Sequence, residues 1–273
     1  MLTFMLITGD PEVARYAVDC GVGRIFVDME QLGKAERQPG DTVKNSCTLS
    51  DVERVRKAIP DAEVLTRIDP WGDHSPAQIQ GAIDAGTDLI MLPMFRTLDE
   101  IQHCANAIGG QARFMPLAEV PEALSIASEV ALDPGVDEVY LGLNDLRIAR
   151  GGAFLFEPLA DGEVDTFAAQ VRHKPFGFGG IAQVGGGLVD GARIVREHVR
   201  LGSSVVILSR DFHNRSATLE DFCTKVDLPT EIRRIREAEA AAAAWSADRL
   251  AQAHEETRVL IRDVARRIRE KAV

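Results

Sequence analysis

The chain has 273 residues, of which 45% are hydrophobic and 27% charged, enough apolar material to fill a sizeable core and too much for a disordered chain. Its 31 Lys and Arg against 42 Asp and Glu leave a formal charge of −11, which disfavours nucleic acid and anionic membrane surfaces as partners. Four cysteines, Cys20, Cys47, Cys104 and Cys223, form no C-x-x-C pair and have no histidine at zinc spacing, so reduced thiols and a cytoplasmic setting are expected.

The opening stretch, MLTFMLITGDPEVARY, carries an apolar run of about eight residues, far below the roughly 20 that span a bilayer. It lacks a basic n-region and a cleavage site, and reads as a first strand. Further apolar runs follow, with amphipathic segments between them, about every 25 to 30 residues, the rhythm of βα units. The predicted strands are Leu2–Thr8, Arg24–Met29, Glu63–Ile68, Leu89–Met94, Arg113–Ala118, Glu138–Leu143, Phe176–Ile181 and Ser204–Leu208. Between them lie helical patterns with start signals, such as Asp10-Pro11 and Thr48-Leu49-Ser50-Asp51, and glycine stops at Gly21, Gly86 and Gly202. Eight such repeats predict a closed (β/α)8 barrel over residues 1–228 rather than an open doubly wound sheet. From residue 229 to 273 the sequence is rich in strong helix formers. This segment is expected to be a long helix or a helical pair, either closing the barrel or packing on another subunit, with Ile232, Leu250, Val259, Leu260 and Ile268 as candidate buried contacts.

Barrel enzymes work at the carboxyl ends of their strands. That rule selects Asp28 and Glu30 after the second strand, Arg67 and Asp69 after the third, Glu119 after the fifth, and Asn144 and Asp145 after the sixth. Strands seven and eight add the Gly185-Gly186-Gly187 loop and Ser209-Arg210. Carboxylates from several strands aimed into one mouth repel unless a cation compensates, and oxygen donors favour a hard divalent ion. Arg67 is placed to brace those carboxylates or to stabilise an oxyanion.

Several segments resemble the metal-dependent pyruvate aldolases of the aldolase/citrate lyase superfamily, the HpcH/HpaI family that includes 4-hydroxy-2-oxoheptanedioate aldolase. The carriers are Phe26-Val27-Asp28-Met29-Glu30, Arg67 with Pro70-Trp71-Gly72-Asp73, AIDAGTDLIMLPMFRTLDEI at 82–101, Ala118-Glu119-Val120-Pro121-Glu122-Ala123 and Leu141-Gly142-Leu143-Asn144-Asp145-Leu146. The resemblance implies a TIM barrel whose Glu119 and Asp145 bind Mg2+ or Mn2+, with an oxo acid such as pyruvate on the metal and Arg67 on its keto oxygen. It implies that backbone amides around Gly142, Leu143 and Asn144 hold the substrate carboxylate. It also implies that Asp84 serves a neighbouring subunit's site, which makes the active unit a homo-oligomer.

One departure concerns proton transfer. The family pattern Asp-x-Glu-His becomes Asp28-Met29-Glu30-Gln31 here, and a glutamine cannot act as a general base. Asp28, Glu30 and Asp84 then become candidates for orienting a metal-bound water, with His74 as a candidate replacement base. The loop from Leu32 to Thr48 carries Lys34, Arg37 and Lys44, cations suited to a carboxylate, phosphate or nucleotide. The glycine run at 177–187 and Arg210 suggest an anion cradle, although no P-loop or dinucleotide fingerprint is present. The expected function is thus a divalent-metal-dependent carbon–carbon lyase acting through a pyruvate-like enolate on a hydroxylated 2-oxo acid. Two rivals stand beside it: a lyase or condensing enzyme for an acyl-CoA or sugar conjugate, as in surface-carbohydrate biosynthesis, and a non-catalytic barrel that binds a metabolite.

Overall fold

The computed structural model describes residues 1–33, 47–209, 212, 216 and 218–272. Eight strands form a closed parallel barrel in sequence order. They are β1 (Thr3–Ile7), β2 (Arg24–Asp28), β3 (Glu63–Arg67), β4 (Leu89–Leu92), β5 (Arg113–Ala118), β6 (Val139–Leu141), β7 (Phe176–Ile181) and β8 (Val205–Leu208). Helices α1 (Pro11–Asp19), α2 (Leu49–Ala58), α3 (Ser75–Asp84), α4 (Leu98–Ile108), α5 (Pro121–Ser125) and α6 (Ala127–Leu132) connect the first six strands. Next come α7 (Leu143–Ala149), α8 (Glu157–Ala160), α9 (Glu163–Val171) and α10 (Gly191–Leu201), then α11 (Leu219–Lys225), α12 (Leu228–Ala243) and α13 (Ala247–Ala272) after the last strand. No helix among the described residues is long and apolar enough to cross a membrane.

All eight expected strands are present, and several end one or two residues earlier than their apolar runs. Pro93 and Met94, for example, stay buried or half-buried after β4 has ended. Alternation divides the hydrophobic residues between two cores. Met5, Phe26, Leu65, Leu89, Met91, Met115, Leu117, Tyr140 and Val205 fill the barrel interior, while Phe4, Ile25, Val64, Ile90 and Phe114 point outward to the helices.

Because that interior is apolar, buried charge gathers at the barrel's ends. At the amino ends of the strands, Arg24 bonds Glu138 through Nη1 at 2.9 Å and Nη2 at 2.8 Å, and Glu63 through Nε at 2.8 Å. Arg113 bridges the same two acids. Burial opposes the Arg24 charge, yet Glu138 and Glu63 raise its pKa above the usual arginine value. A cavity of about 710 Å³ opens at this end, lined in part by Arg56, Glu63, Asp88 and Arg113. Its arginines are committed to those acids and to Glu138, so it belongs to the framework.

The β7–β8 seam is irregular. Gly177 pairs with Val205 and Gly180 with Ile207, so β7 holds one residue more than β8 across this interval. Tyr140 fills the gap from inside the barrel: its hydroxyl donates to the Gly179 carbonyl at 2.7 Å and accepts from the Ile207 amide at 2.9 Å. A Cβ at Gly177 would stand 2.4 Å from the Tyr140 ring and 2.2 Å from the Val205 carbonyl, so only glycine fits.

The carboxyl-terminal helices form a pair that lies on its own barrel. α13 runs along α8 and α10, with Arg258 and Arg262 donating to the Ala160 carbonyl and His254 meeting buried Glu197 at 2.8 Å. Its buried stripe is Ala253, Thr257, Ile261, Val264 and Ala265, whereas Val259 is 59% exposed. Val259 does not pack on its own barrel, because the stripe runs through its helical neighbours Thr257 and Ile261.

On α10, His198 stacks on Phe178 with ring centroids 3.9 Å apart, and its Nδ1 meets Ser203 Oγ at 2.8 Å. Burial pushes its pKa down to about 3. The folded chain therefore keeps a neutral ring where the unfolded chain gains a proton below about pH 6.5. Stability from this residue is intact above that pH and lost as the pH falls from there towards 3. The loss by pH 5 is expected to be about 2 kcal/mol. His198→Phe should flatten the urea-unfolding free energy between pH 6.5 and 5.

Candidate active site

At the carboxyl end of β3, Arg67 is gripped along one edge. Its Nε donates to Asp28 Oδ1 at 2.9 Å and its Nη2 to Asp28 Oδ2 at 2.8 Å, a bidentate pair across neighbouring strands. Nη2 also lies 3.2 Å from Glu30 Oε2, and the guanidinium sits 5.4 Å above the Phe26 ring. Nη1 makes no hydrogen bond to the described residues. Burial works against the charge, but Asp28, Glu30 and then Glu119 overcome it and raise the pKa well above the usual arginine value. Asp28, Glu30 and Glu119 are each 3% exposed, and the Arg67 side chain beside them is 14% exposed.

Glu119 follows β5 and is held from two sides. The Met94 amide donates to its Oε1 at 3.2 Å. Across from it, a Cβ built on Gly142 would stand 2.8 Å from Glu119 Cβ and 2.9 Å from Oε2. Gly142 is therefore a glycine for space and not for dihedral freedom, since its φ is an ordinary −85°. Asp145 lies in the first turn of α7, half-buried, and Asn144 Oδ1 accepts from Arg147 Nη2 at 3.3 Å. Leu143 is buried beneath this turn.

Asp69, one of the acids selected from sequence, serves the backbone. Its Oδ1 accepts from the Gln31 amide at 2.7 Å and the Leu32 amide at 2.9 Å, and its Oδ2 accepts from Gln78 Nε2 at 3.0 Å. It pins the loop after β2 to the loop after β3. Gln31 is exposed, and His74 is exposed at the start of α3. Asp84 is exposed at the far end of α3, beside the amino ends of the strands, where Gln80 Nε2 bonds it at 2.9 Å. It does not join its own chain's mouth. Lys34, Arg37, Lys44 and Arg210 lie outside the described residues.

The anion-cradle reading of the glycine loop meets an obstacle. Asp190 caps α10, accepting from the Ala192 and Gly185 amides at 2.9 Å each, so a carboxylate of the chain already takes the place a phosphate would need. Sequence reasoning missed Met94 and the spatial role of Gly142. The first rests on a dihedral angle and the second on a contact between distant residues, neither of which the sequence marks.

The sequence matches no protein-family model and no curated protein. Solved structures do match. An HpcH/HpaI aldolase/citrate lyase family protein from Burkholderia cenocepacia is similar at 17% identity and TM-score 0.59, covering 89% of this chain and 95% of that one. CitE from Mycobacterium tuberculosis, in complex with magnesium and pyruvate, is similar at 15% identity and TM-score 0.59 over 94% of this chain and 98% of its own. This chain shares its fold with aldolase/citrate lyase barrels. The fold reaches wider, since 3-hexulose-6-phosphate synthase from Salmonella typhimurium aligns at 17% identity and TM-score 0.60 over 88% of this chain and 100% of that one.

The Arg67 cluster yields a test independent of any ligand. Arg67→Met in metal-free buffer removes the bidentate partner of Asp28 and the neighbour of Glu30, and should cost about 3–5 kcal/mol of unfolding free energy near pH 7.5, read by urea denaturation.

Proposed function

We propose that the chain is a divergent member of the HpcH/HpaI aldolase/citrate lyase family, and a divalent-metal-dependent lyase that makes or breaks a carbon–carbon bond beside a pyruvate-like enolate. The observation that carries this reading is the one-sided grip on Arg67. Asp28 and Glu30 occupy Nε and Nη2, which leaves Nη1 for an oxygen of the substrate. A guanidinium locked in this way needs no reorientation when negative charge develops on a keto oxygen, so it favours the transition state over the ground state.

Glu119 and Asp145 would hold the metal. Among the described residues no three His, Cys, Asp or Glu groups stand close enough to enclose an ion alone. Two carboxylates instead suit an ion that takes its remaining ligands from water and substrate, as magnesium does. When bound, the ion would polarise the keto oxygen and lower the pKa of its water. The turn at Gly142, Leu143 and Asn144 would meet the substrate carboxylate.

Proton transfer cannot use position 31, an exposed amide. Asp28, with both oxygens on Arg67, acts as a positioning group. Glu30, buried and 3.2 Å from Arg67, would be the carboxylate that orients the water or substrate hydroxyl that exchanges a proton. Asp84 would complete the site of an adjoining subunit in a homo-oligomer. A hydroxylated 2-oxo acid fits this arrangement better than a phosphorylated sugar, because Asp190 fills the helix terminus a phosphate would use.

Deuterium exchange into the methyl group of pyruvate, followed by NMR with Mg2+ or Mn2+, tests the reading directly. Exchange is expected with the intact protein, and Arg67→Lys should slow it by about 10²–10³ through loss of the fixed fork. Folded Glu119→Ala or Asp145→Ala protein with full exchange would refute the assignment. In the opposite direction, Gln31→His should raise aldol activity with pyruvate, restoring the family's proton carrier, and an unchanged rate would place the missing base elsewhere.

A further inference from the structure

Met94 has φ +58°, and among the described residues every other left-handed position is a glycine. A side chain there crowds its own backbone, and such a conformation persists only where the surroundings impose it. The surroundings do so here. Pro93 and Leu92 are buried before it, and Phe95, only 1% exposed, is anchored in the outer core after it. The product of this forced turn is one interaction: the Met94 amide is aimed at Glu119 Oε1, 3.2 Å away. On the other flank, Gly142 leaves space for Oε2.

We infer that the left-handed backbone at Met94 is a positioning device that pre-sets the Glu119 carboxylate for a divalent ion. The inference rests on the metal-dependent reading above and adds a residue to it. The Met94 amide holds one oxygen, the Gly142 gap admits the other, and the carboxylate plane is fixed before any ion arrives. Outer contacts of this kind tune metal affinity as well as structure. A turn with no such task could carry glycine or asparagine at this point without strain.

Because the backbone conformation matters and the thioether does not, the side-chain series has a specific order. Met94→Asn keeps a left-handed residue and should bind Mn2+ within about threefold of the parent protein, whereas β-branched Met94→Val should weaken it by about tenfold or more. Mn2+ titration by electron paramagnetic resonance, beside the melting temperature of the metal-free variants, separates lost affinity from lost stability. Equal affinity of Val and Asn variants, or equal weakening, would overturn the inference. A second measurement does not depend on the Val variant folding. In protein labelled with 15N-methionine, which has six methionines to resolve, the Met94 amide resonance should move saturably with Mg2+ and shift in Glu119→Ala. A resonance indifferent to both refutes the role of Met94 while Mg2+ binding itself persists. Absence of divalent-ion binding by the parent protein refutes the metal-dependent reading, and the inference with it.

Discussion

A buried guanidinium between acids governs the mouth of this barrel. Arg67 is the only described cation with a bonded carboxylate at the carboxyl ends of β2 and β3, and its pairing with Asp28 joins the two strands by side chains where their ladder ends. The interior below it is hydrocarbon, from Phe26 down to Met5, so its charge cannot be answered from beneath. Asp28 and Glu30 answer it from the side, and that choice fixes which edge of the guanidinium is presented. The ion cluster around Arg24 solves the same electrostatic problem at the opposite end, where Glu63 and Glu138 answer it.

The loop after β2 depends on that arrangement. Asp69 takes two of its backbone amides, at Gln31 and Leu32, so the turn is fixed with Gln31 exposed and Glu30 buried beside Arg67.

Much of this architecture was legible in the sequence, for identifiable reasons. Eight apolar runs with helical spacers dictate a barrel, and Arg67, Asp28, Glu30 and Glu119 fall together because each closes or follows a strand. What escaped depends on contacts between distant residues or on dihedral angles. Nothing in the apolar pattern of LIMLPMF announces that Met94 turns left-handed, or that Gly142 makes room for Glu119. Asp69 reads as a mouth acid until its amide partners are known. Asp190 converts an apparent phosphate loop into a self-capped helix by a bond that composition does not encode. The stripe on the last helix indicates that it packs, and only the fold shows that α8 and α10 receive it.

The phenol at the β7–β8 seam carries a consequence for how the barrel closes. Here the ladder is completed by a side chain from β6. Pairing of the last two strands across this interval thus draws on a third strand's ring as well as on their own backbones, and the seam is where slow amide exchange should begin to fail first when the barrel breathes.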